Sequence, residues 1–396
     1  MKKENYDIII SGAGYIGMSL ACLLAKQNLK IAIIDHVSLN YTSKNESNLP
    51  SRTFAIASAS MEIFKKINIE NKIKKFAQPI NQILIEDHKT NEDLNFYPQD
   101  LDLQNFGYMV DEQHIINALK SQISTHKNIN LYQGQEIKKI QNLPYYSQIT
   151  LSNSEILNSK LLVVAEGKNS KTRELLEIKT RKISYQQDAI VFDLKHEYNH
   201  NGIAAEKFLS SGPFAILPKK GGYESCIVWT DKTGIGKILK SMPKKDITYL
   251  IKNKLKNYLG DIELVSDIAF FPLNLIYAKS YFKDRAVFCG DSIHGIHPIA
   301  GQGLNLGLRD VQHLHNLINN NIELGLEICS NNMLNKYNNQ REFDINLMIN
   351  STHNINNIFA SNLIIAKLSC KIGLKFINKF TPLKNYIMSY ASGYKI

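Results

Sequence analysis

The sequence predicts an α/β fold: a Rossmann-like domain, interrupted by an inserted, mainly antiparallel β-sheet and followed by a C-terminal helical region. Three observations predict it. The N-terminus reads strand, glycine loop, helix, strand, acid: Tyr6–Ile10 leads into Gly12-Ala13-Gly14-Tyr15-Ile16-Gly17, and Lys30–Ile34 ends on Asp35. From about Ile183 to Phe271 the pattern changes to separate β-type runs joined by Gly-, Pro- and Lys-rich turns. Then, across Arg285–Asp310 (RAVFCGDSIHGIHPIAGQGLNLGLRD), a short buried strand breaks at Gly290-Asp291 and a helix begins through Gly301-Gln302-Gly303.

In the first motif Gly12 permits a tight turn, and Gly14 lets a pyrophosphate approach the backbone. Gly17 lets the following helix, patterned on Met18, Leu20, Ala21, Leu24 and Ala25, pack on the sheet. Asp35 is placed to accept both ribose hydroxyls of an adenosine. The motif predicts a bound dinucleotide without separating FAD from NAD.

Asn40–Ser51, polar and carrying Pro50, reads as a loop. Arg52-Thr53-Phe54-Ala55-Ile56-Ala57 leads into a helix with Met61, Phe64 and Ile67. Arg52, just before a helix, either holds a cofactor phosphate or flavin edge or stands as a solvated surface arginine. Ile80–Ile85 and Leu94–Tyr97 predict an inserted hairpin, and Gly107–Asp111 a strand before the helical Ile115, Ile116 and Leu119. Further strands are expected at Leu131–Tyr132 and Ile149–Leu151. Leu161–Ala165 is continuously apolar, as in a parallel strand buried on both faces. It ends in Glu166-Gly167, which is no P-loop because Asn169 follows the Gly-Lys pair.

The inserted part carries strands at Ala189–Leu194, Phe214–Leu217 and Cys226–Thr230, with one helix near Asp246–Leu259. The expected division is 1–79, 99–182 and 272–320 for the first domain, 80–98 and 183–271 for the inserted one, and 321–396 for the helical region. In the stretch from Arg285, an acid at a strand's carboxyl end and a glycine-lined helix start suit a phosphate-bearing cofactor with a flat ring. With the N-terminal motif they point to a flavin. His294 and His297 lie three apart, but only Asp291 stands in plausible spacing to join them, so no metal site is expected.

A chain of 396 residues holds at least one large core and more naturally two domains. Its net charge of +11 comes from 47 basic and 36 acidic residues. Most of that excess reads as lysines scattered through a sequence rich in Lys, Asn and Ile, and no basic-aromatic cluster suggests nucleic acid. The tail is the exception. Lys367, Lys371, Lys375 and Lys379 recur every four residues, as do Ile364, Leu368, Ile372, Phe376 and Phe380. They suit either a packed helix with solvated lysines or a basic amphipathic surface on anionic lipid. The 5 cysteines are scattered without a CxxC pair, as in a reducing compartment. No signal-peptide core or membrane-spanning run is present, so a cytoplasmic, at most peripheral, protein is expected.

These motifs together resemble the FAD-dependent aromatic-ring hydroxylases (class A flavoprotein monooxygenases), and more narrowly the ubiquinone-biosynthesis hydroxylase family. The resemblance covers most of the chain. It runs through GxGxxG, Arg52 in an R-x-x-A-I segment, Tyr108-Met109-Val110, Ala215–Pro218 with Ile227–Thr230, and Phe271-Pro272-Leu273. GDxxHxxxPxxGQGxN is matched by Gly290, Asp291, His294, Pro298, Gly301, Gln302, Gly303 and Asn305, with Tyr337, Arg341 and Asp344 following. The family usually has Glu where Asp35 stands, and Asp-Gly where Glu166-Gly167 stands.

The resemblance implies an FAD-binding domain and a substrate domain, with NADPH or NADH as co-substrate. It implies O2 chemistry through a flavin hydroperoxide, and an electron-rich, polyprenylated phenol as substrate. The implied cofactor residues are Gly12, Gly14, Gly17, Asp35, Arg52, Gly290, Asp291, Pro298, Gly301, Gln302, Gly303 and Asn305, joined by Glu166 and Gly167. Asp291 would accept from ribityl or ribose hydroxyls, and His297 and Pro298 would border the substrate. The implied partners are the prenylated phenol and O2, with peripheral contact to an anionic inner membrane or to a biosynthetic complex. A small soluble phenol is the alternative substrate. A non-catalytic flavin-binding accessory protein is the alternative role, and Glu166 is its one support.

Overall fold

The computed structural model describes residues 3–38, 49–87, 92–295, 301–360 and 380–394. Strands β1 (Lys3–Ser11) and β2 (Ile31–Asp35) flank helix α1 (Tyr15–Ala25). Next come β3 (Thr53–Ala57), α2 (Ser58–Lys66), the hairpin β4 (Gln82–Asp87) and β5 (Glu92–Phe96), β6 (Gly107–Asp111), α3 (Glu112–Ile123) and β7 (Ile129–Gln133). β8 (Ile156–Val164) and the short α4 (Lys171–Leu175) precede β9 (Thr180–His196), β10 (Ile203–Leu209), β11 (Gly212–Pro218) and β12 (Glu224–Lys232). The chain continues through α5 (Lys244–Leu255), β13 (Ala269–Ala278), β14 (Ala286–Phe288), α6 (Gln302–Glu323), α7 (Asn331–Ala360) and α8 (Thr381–Ala391).

The first sheet has a parallel core in the order β14-β8-β1-β2-β7, extended by antiparallel strands at residues 137–142, 147–151 and 282–283. Its central strands carry continuous apolar runs because helices cover both faces; Ile8–Ile10 and Leu161–Val164 are fully buried. α1 is buried on almost every side, packing against α3 and α6 as well as β1 and β2. This is the doubly wound layering expected from the sequence.

The second sheet, in the order β13-β9-β12-β11-β10-β4-β5, is antiparallel except where β4 lies parallel to β10. The hairpin from residues 82–96 therefore extends the sheet built by residues 180–278. β9 is longer than its apolar core suggests. It pairs with β13 on both sides of a bulge between Ser184 and Asp188, where Gln186 adopts φ +54°. A helix over Ile235–Ser241, not expected from the sequence, precedes α5. One face of this sheet, with Ile190, Phe192, Phe214, Ile216 and Ile227 fully buried, packs with Ile247, Ile251 and Leu255 of α5. The other face looks towards the small sheet of β3 and β6, through Ile83, Ala204, Leu217, Met109 and Ala55.

One local expectation is corrected here. Arg52 stands before a strand, not a helix: Thr53–Ala57 pairs antiparallel with Gly107–Asp111, burying Phe54 and Ile56 on alternate positions, and the helix starts only at Ser58. The tail lysines Lys367, Lys371, Lys375 and Lys379 lie outside the described residues, as do His297 and Pro298. Among the described residues no helix is long and apolar enough to cross a membrane, and no group of His, Cys, Asp and Glu is placed to hold a metal.

Candidate cofactor site

α1 begins at Gly14 at the carboxyl end of β1 with no side-chain cap, leaving its first N–H groups and the positive end of its dipole to another acceptor. Gly12 has φ +110°, and a Cβ there would lie 2.4 Å from the Ala165 carbonyl oxygen; one on Gly17 would lie 2.0 Å from that of Gly12. Packing within the chain demands both. Gly14 is different: a Cβ there would meet nothing within 4 Å. Such an open approach beside an uncapped helix start fits a diphosphate, the central part of FAD. At the end of β2, Asp35 accepts from Ala13 N at 2.6 Å and Val37 N at 2.8 Å, pinning the glycine loop. Its side chain is 19% exposed, and each carboxylate oxygen keeps a lone pair for a ribose hydroxyl.

The structure gathers Tyr15, Glu112 and Asp291 within electrostatic reach of Arg52. The Arg52 guanidinium lies 4.7 Å from the Phe54 ring centroid and 3.5 Å from Glu112 Oε1, with 58% of its side chain exposed. It is thus a cation held at a rim between the glycine loop and the Gly290-Asp291 turn. Burial raises the Glu112 carboxyl above its ordinary range against the opposing pull of Arg52.

Glu166 faces inward. Its carboxylate accepts from Ser170 Oγ at 2.7 Å and Thr172 N at 3.0 Å, and also from the hydroxyls of Thr172 and Ser11. It fastens the loop after β8 to β1 and to the start of α4. Gly167, at φ +77°, lies in the same loop with open space around its Cα. Arg173 closes the arrangement, donating to Ser292 O and Lys168 O, each at 2.8 Å. The Glu166 loop and the Gly290-Asp291 turn are thereby tied together.

Beneath the turn lies a group that sequence reasoning missed. Asp310, on α6 and fully buried, accepts from Gly290 N at 2.7 Å, His294 Nε2 at 2.6 Å and Arg341 Nε at 2.6 Å. Arg341 also donates to Asp344 at 2.7 Å, and Arg309 to Asp344 at 3.2 Å and to Tyr390 O at 2.9 Å. Burial alone would raise the Asp310 carboxyl, but His294 and Arg341 outweigh it and hold it down at about 2. The one sequence clue was a charged Arg-Asp pair inside an otherwise apolar helix face, with Arg341 and Asp344 spaced i, i+3 on the next helix. His294 is therefore a buried partner of Asp310.

α6 starts behind Gly301, which adopts φ +60° with its Cα against Ala55 and supplies no side-chain cap. Gln302 opens the helix, and a Cβ on Gly303 would meet nothing within 4 Å. A flat ring can approach this end, and the N–H groups of the first turn suit its carbonyl edge. Asn305 is turned the other way, accepting from Ala57 N at 2.9 Å and donating to Ala55 O at 2.8 Å, so it braces β3 against α6. Gly307 lets α6 close on α1: a Cβ there would sit 2.7 Å from Ile16 Cδ1. The two glycine-lined helix starts thus belong to one packed unit, joined through Ile16, Gly290 and Gly307.

Residues 5–349 match the family model described as the FAD binding domain. The chain is 30% identical to the ubiquinone biosynthesis monooxygenase COQ6 of Dictyostelium discoideum, covering 100% of this chain and 93% of that protein. It is 25% identical to the 3-demethoxyubiquinol 3-hydroxylase of Escherichia coli, over 99% of this chain and 100% of the other. Among solved structures, p-nitrophenol 4-monooxygenase PnpA from Pseudomonas putida superposes with a TM-score of 0.78 at 15% identity, covering 100% of both chains.

Proposed function

The chain belongs to the FAD-dependent aromatic-ring hydroxylases, within the ubiquinone-biosynthesis hydroxylase family, and from that premise we propose that it hydroxylates the ring of a polyprenylated phenol in ubiquinone biosynthesis. The observation that carries this reading is the pair of uncapped, glycine-lined helix starts, at Gly14 and Gly301, packed together beside an apolar sheet face. FAD, reduced by NADPH or NADH, supplies the reactive oxygen from O2.

The chain's own residues bind, orient and exclude water. Gly14 and the α1 N-terminus receive the diphosphate, Asp35 the adenosine ribose, and Asp291 a ribityl or ribose hydroxyl. Gly301, Gln302 and Gly303 would hold the ring, and the backbone N–H groups of this helix start would stabilise negative charge on it. Arg52 guards the rim, and Asn305 and Asp310 hold the elements that carry these groups. The Glu166 carboxylate is occupied by Ser11, Ser170 and Thr172, which gives a non-catalytic role no support.

The prenylated chain of the substrate needs an apolar wall, and Ile83, Ile85, Ala204 and Leu217 provide one, which favours this substrate over a small soluble phenol. Peripheral contact with anionic lipid rests on the spacing of Lys367, Lys371, Lys375 and Lys379. Neutralising these four lysines should weaken binding to anionic liposomes, and unchanged binding removes that contact. The purified protein should be yellow, oxidise NADPH or NADH faster when a prenylated phenol is added, and yield a product heavier by one oxygen. A colourless protein that cannot be reconstituted with FAD overturns the proposal.

A further inference from the structure

The inserted sheet has two unlike faces. The side chains turned towards α5, among them Ile190, Phe192, Phe214, Ile216 and Ile227, are fully buried. The opposite face carries one row fixed by register: Ile85 beside Glu206, Glu206 beside Ala215, Ala215 beside Val228, and Val228 beside Val191. Ile85, Val228 and Val191 are only partly buried; Ile85 packs at the edge of the cluster around Leu94 and Phe96, and α7 contacts β10 and β11. The neighbouring row on the same face, Ile83, Ala204 and Leu217, belongs to the cluster containing Met109 and Ala55. Ala55 touches Gly301, where α6 begins. The row therefore opens on the side where the flat ring of the cofactor is proposed to lie.

Within that apolar row Glu206 is the sole ionisable side chain. Among the described residues, none donates a hydrogen bond to it and no cation pairs with it. Nearby charges are engaged elsewhere: Lys207, on the other face, pairs with Glu86 at 2.7 Å, and Lys219 with Asp193 at 2.9 Å. Burial pushes the Glu206 carboxyl up to about 8, so at neutral pH it is largely a neutral acid with both a donor and an acceptor to offer. An acid with no partner among the described residues, set in an apolar wall, costs stability, which is tolerated where a ligand completes it.

We propose that this sheet face borders the substrate site and that Glu206 orients the substrate there: its carboxyl hydrogen-bonds the phenolic hydroxyl of the ring, while Ile85, Val228 and Val191 line the apolar part of the substrate. The inference rests on the hydroxylase reading above and adds to it the one polar group that fixes which way the ring lies. One polar group in an apolar pocket sets orientation, and a site built to bond a hydroxyl discriminates against the analogue lacking it.

The test needs no turnover. FAD-loaded protein, without NADPH, is titrated with 2-geranylphenol and with geranylbenzene, its deoxy analogue, and binding is read from the change in flavin absorbance. The wild type should prefer the phenol by about tenfold or more, the worth of one hydrogen bond in a dry site. Glu206→Gln, which keeps a donor and an acceptor, should retain most of that preference. Glu206→Leu should bind both compounds alike while keeping its FAD content, and Glu206→Ala gives the same ratio should leucine disturb the packing. A Leu or Ala variant with the wild-type preference, or a wild type without any preference, overturns the assignment of Glu206. A wild type that holds FAD and responds to neither compound overturns the hydroxylase reading itself.

Discussion

His294 Nε2 lies 2.6 Å from Asp310 Oδ2, with neither side chain exposed to solvent. The contact joins the segment just after the Gly290-Asp291 turn to the third turn of α6, whose first turn is proposed to face the flavin ring. Asp310 also takes the Gly290 N–H and the Arg341 guanidinium. One carboxylate therefore sets the distance between two parts of the cofactor site without reaching the cofactor.

Removing that carboxylate should be costly. Asp310→Ala leaves Arg341 with a single partner, Asp344, and leaves the Gly290 N–H and His294 unsatisfied in the interior. Breaking a buried pair from one side typically costs about 3–5 kcal/mol. Urea unfolding of the FAD-loaded variant should show a loss of that order, with weaker FAD retention because the turn is no longer held. A variant as stable as the wild type would show that the network carries no net stabilisation.

The same residue sets a pH dependence. The Asp310 carboxyl titrates at about 2 when folded, against an ordinary value of 3.8. Its stabilisation is thus complete above the unfolded value and is lost as pH falls through the folded one. The melting temperature of the wild type should fall towards that of Asp310→Asn as the solution is acidified from about 4 to about 2. Parallel melting curves for the two proteins over that range would contradict this.

The glycines of the first loop should separate folding from binding. Gly17→Ala places a Cβ 2.0 Å from the Gly12 carbonyl oxygen, so α1 must move and the protein should lose stability or fail to accumulate. Gly14→Ala meets nothing within 4 Å and should fold normally. Its methyl group occupies the approach proposed for the diphosphate, so FAD affinity should drop roughly tenfold or more, about 1.4 kcal/mol. Equal FAD affinities in Gly14→Ala and wild type would move the diphosphate elsewhere.

How much of this was legible beforehand depends on how local each feature is. Gly12, Gly14, Gly17 and Asp35 sit within one strand-helix-strand unit, so spacing alone exposes them. Arg52 was placed before a helix because the five-residue strand Thr53–Ala57 is too short to show its period against the strong helical pattern beginning at Ser58. Asp310 was missed because its partners come from the turn at Gly290, from His294 and from α7; the Arg309-Asp310 pair in its own helix marks buried charge without foretelling three donors converging on one carboxylate. Glu206 was missed for a related reason. The expected strands of the inserted part do not include Ala204-Ala205-Glu206-Lys207-Phe208, so the sequence assigns the acid to no face. Only the register with Ile85 and Ala215 sets it on the proposed substrate face.

Glu166 stands where the family usually carries Asp, and its geometry yields a last prediction. The carboxylate reaches across from the end of β8 to Ser11 on β1 and to Ser170 and Thr172 at the start of α4. Glu166→Ala would orphan the Thr172 N–H and leave three hydroxyls to find other partners. Charge-assisted bonds of this kind are worth about 1.5–3 kcal/mol each, so the melting temperature should fall by several degrees. Glu166→Asp, shorter by one methylene, cannot span both sides and should lose part of the same stability. Because the carboxylate is occupied by Ser11, Ser170 and Thr172, the KM for NADPH should change far less than stability does. A large rise in that KM in the Asp variant, with its melting temperature unchanged, would instead place Glu166 on the nicotinamide path and make the departure from the family pattern a functional one.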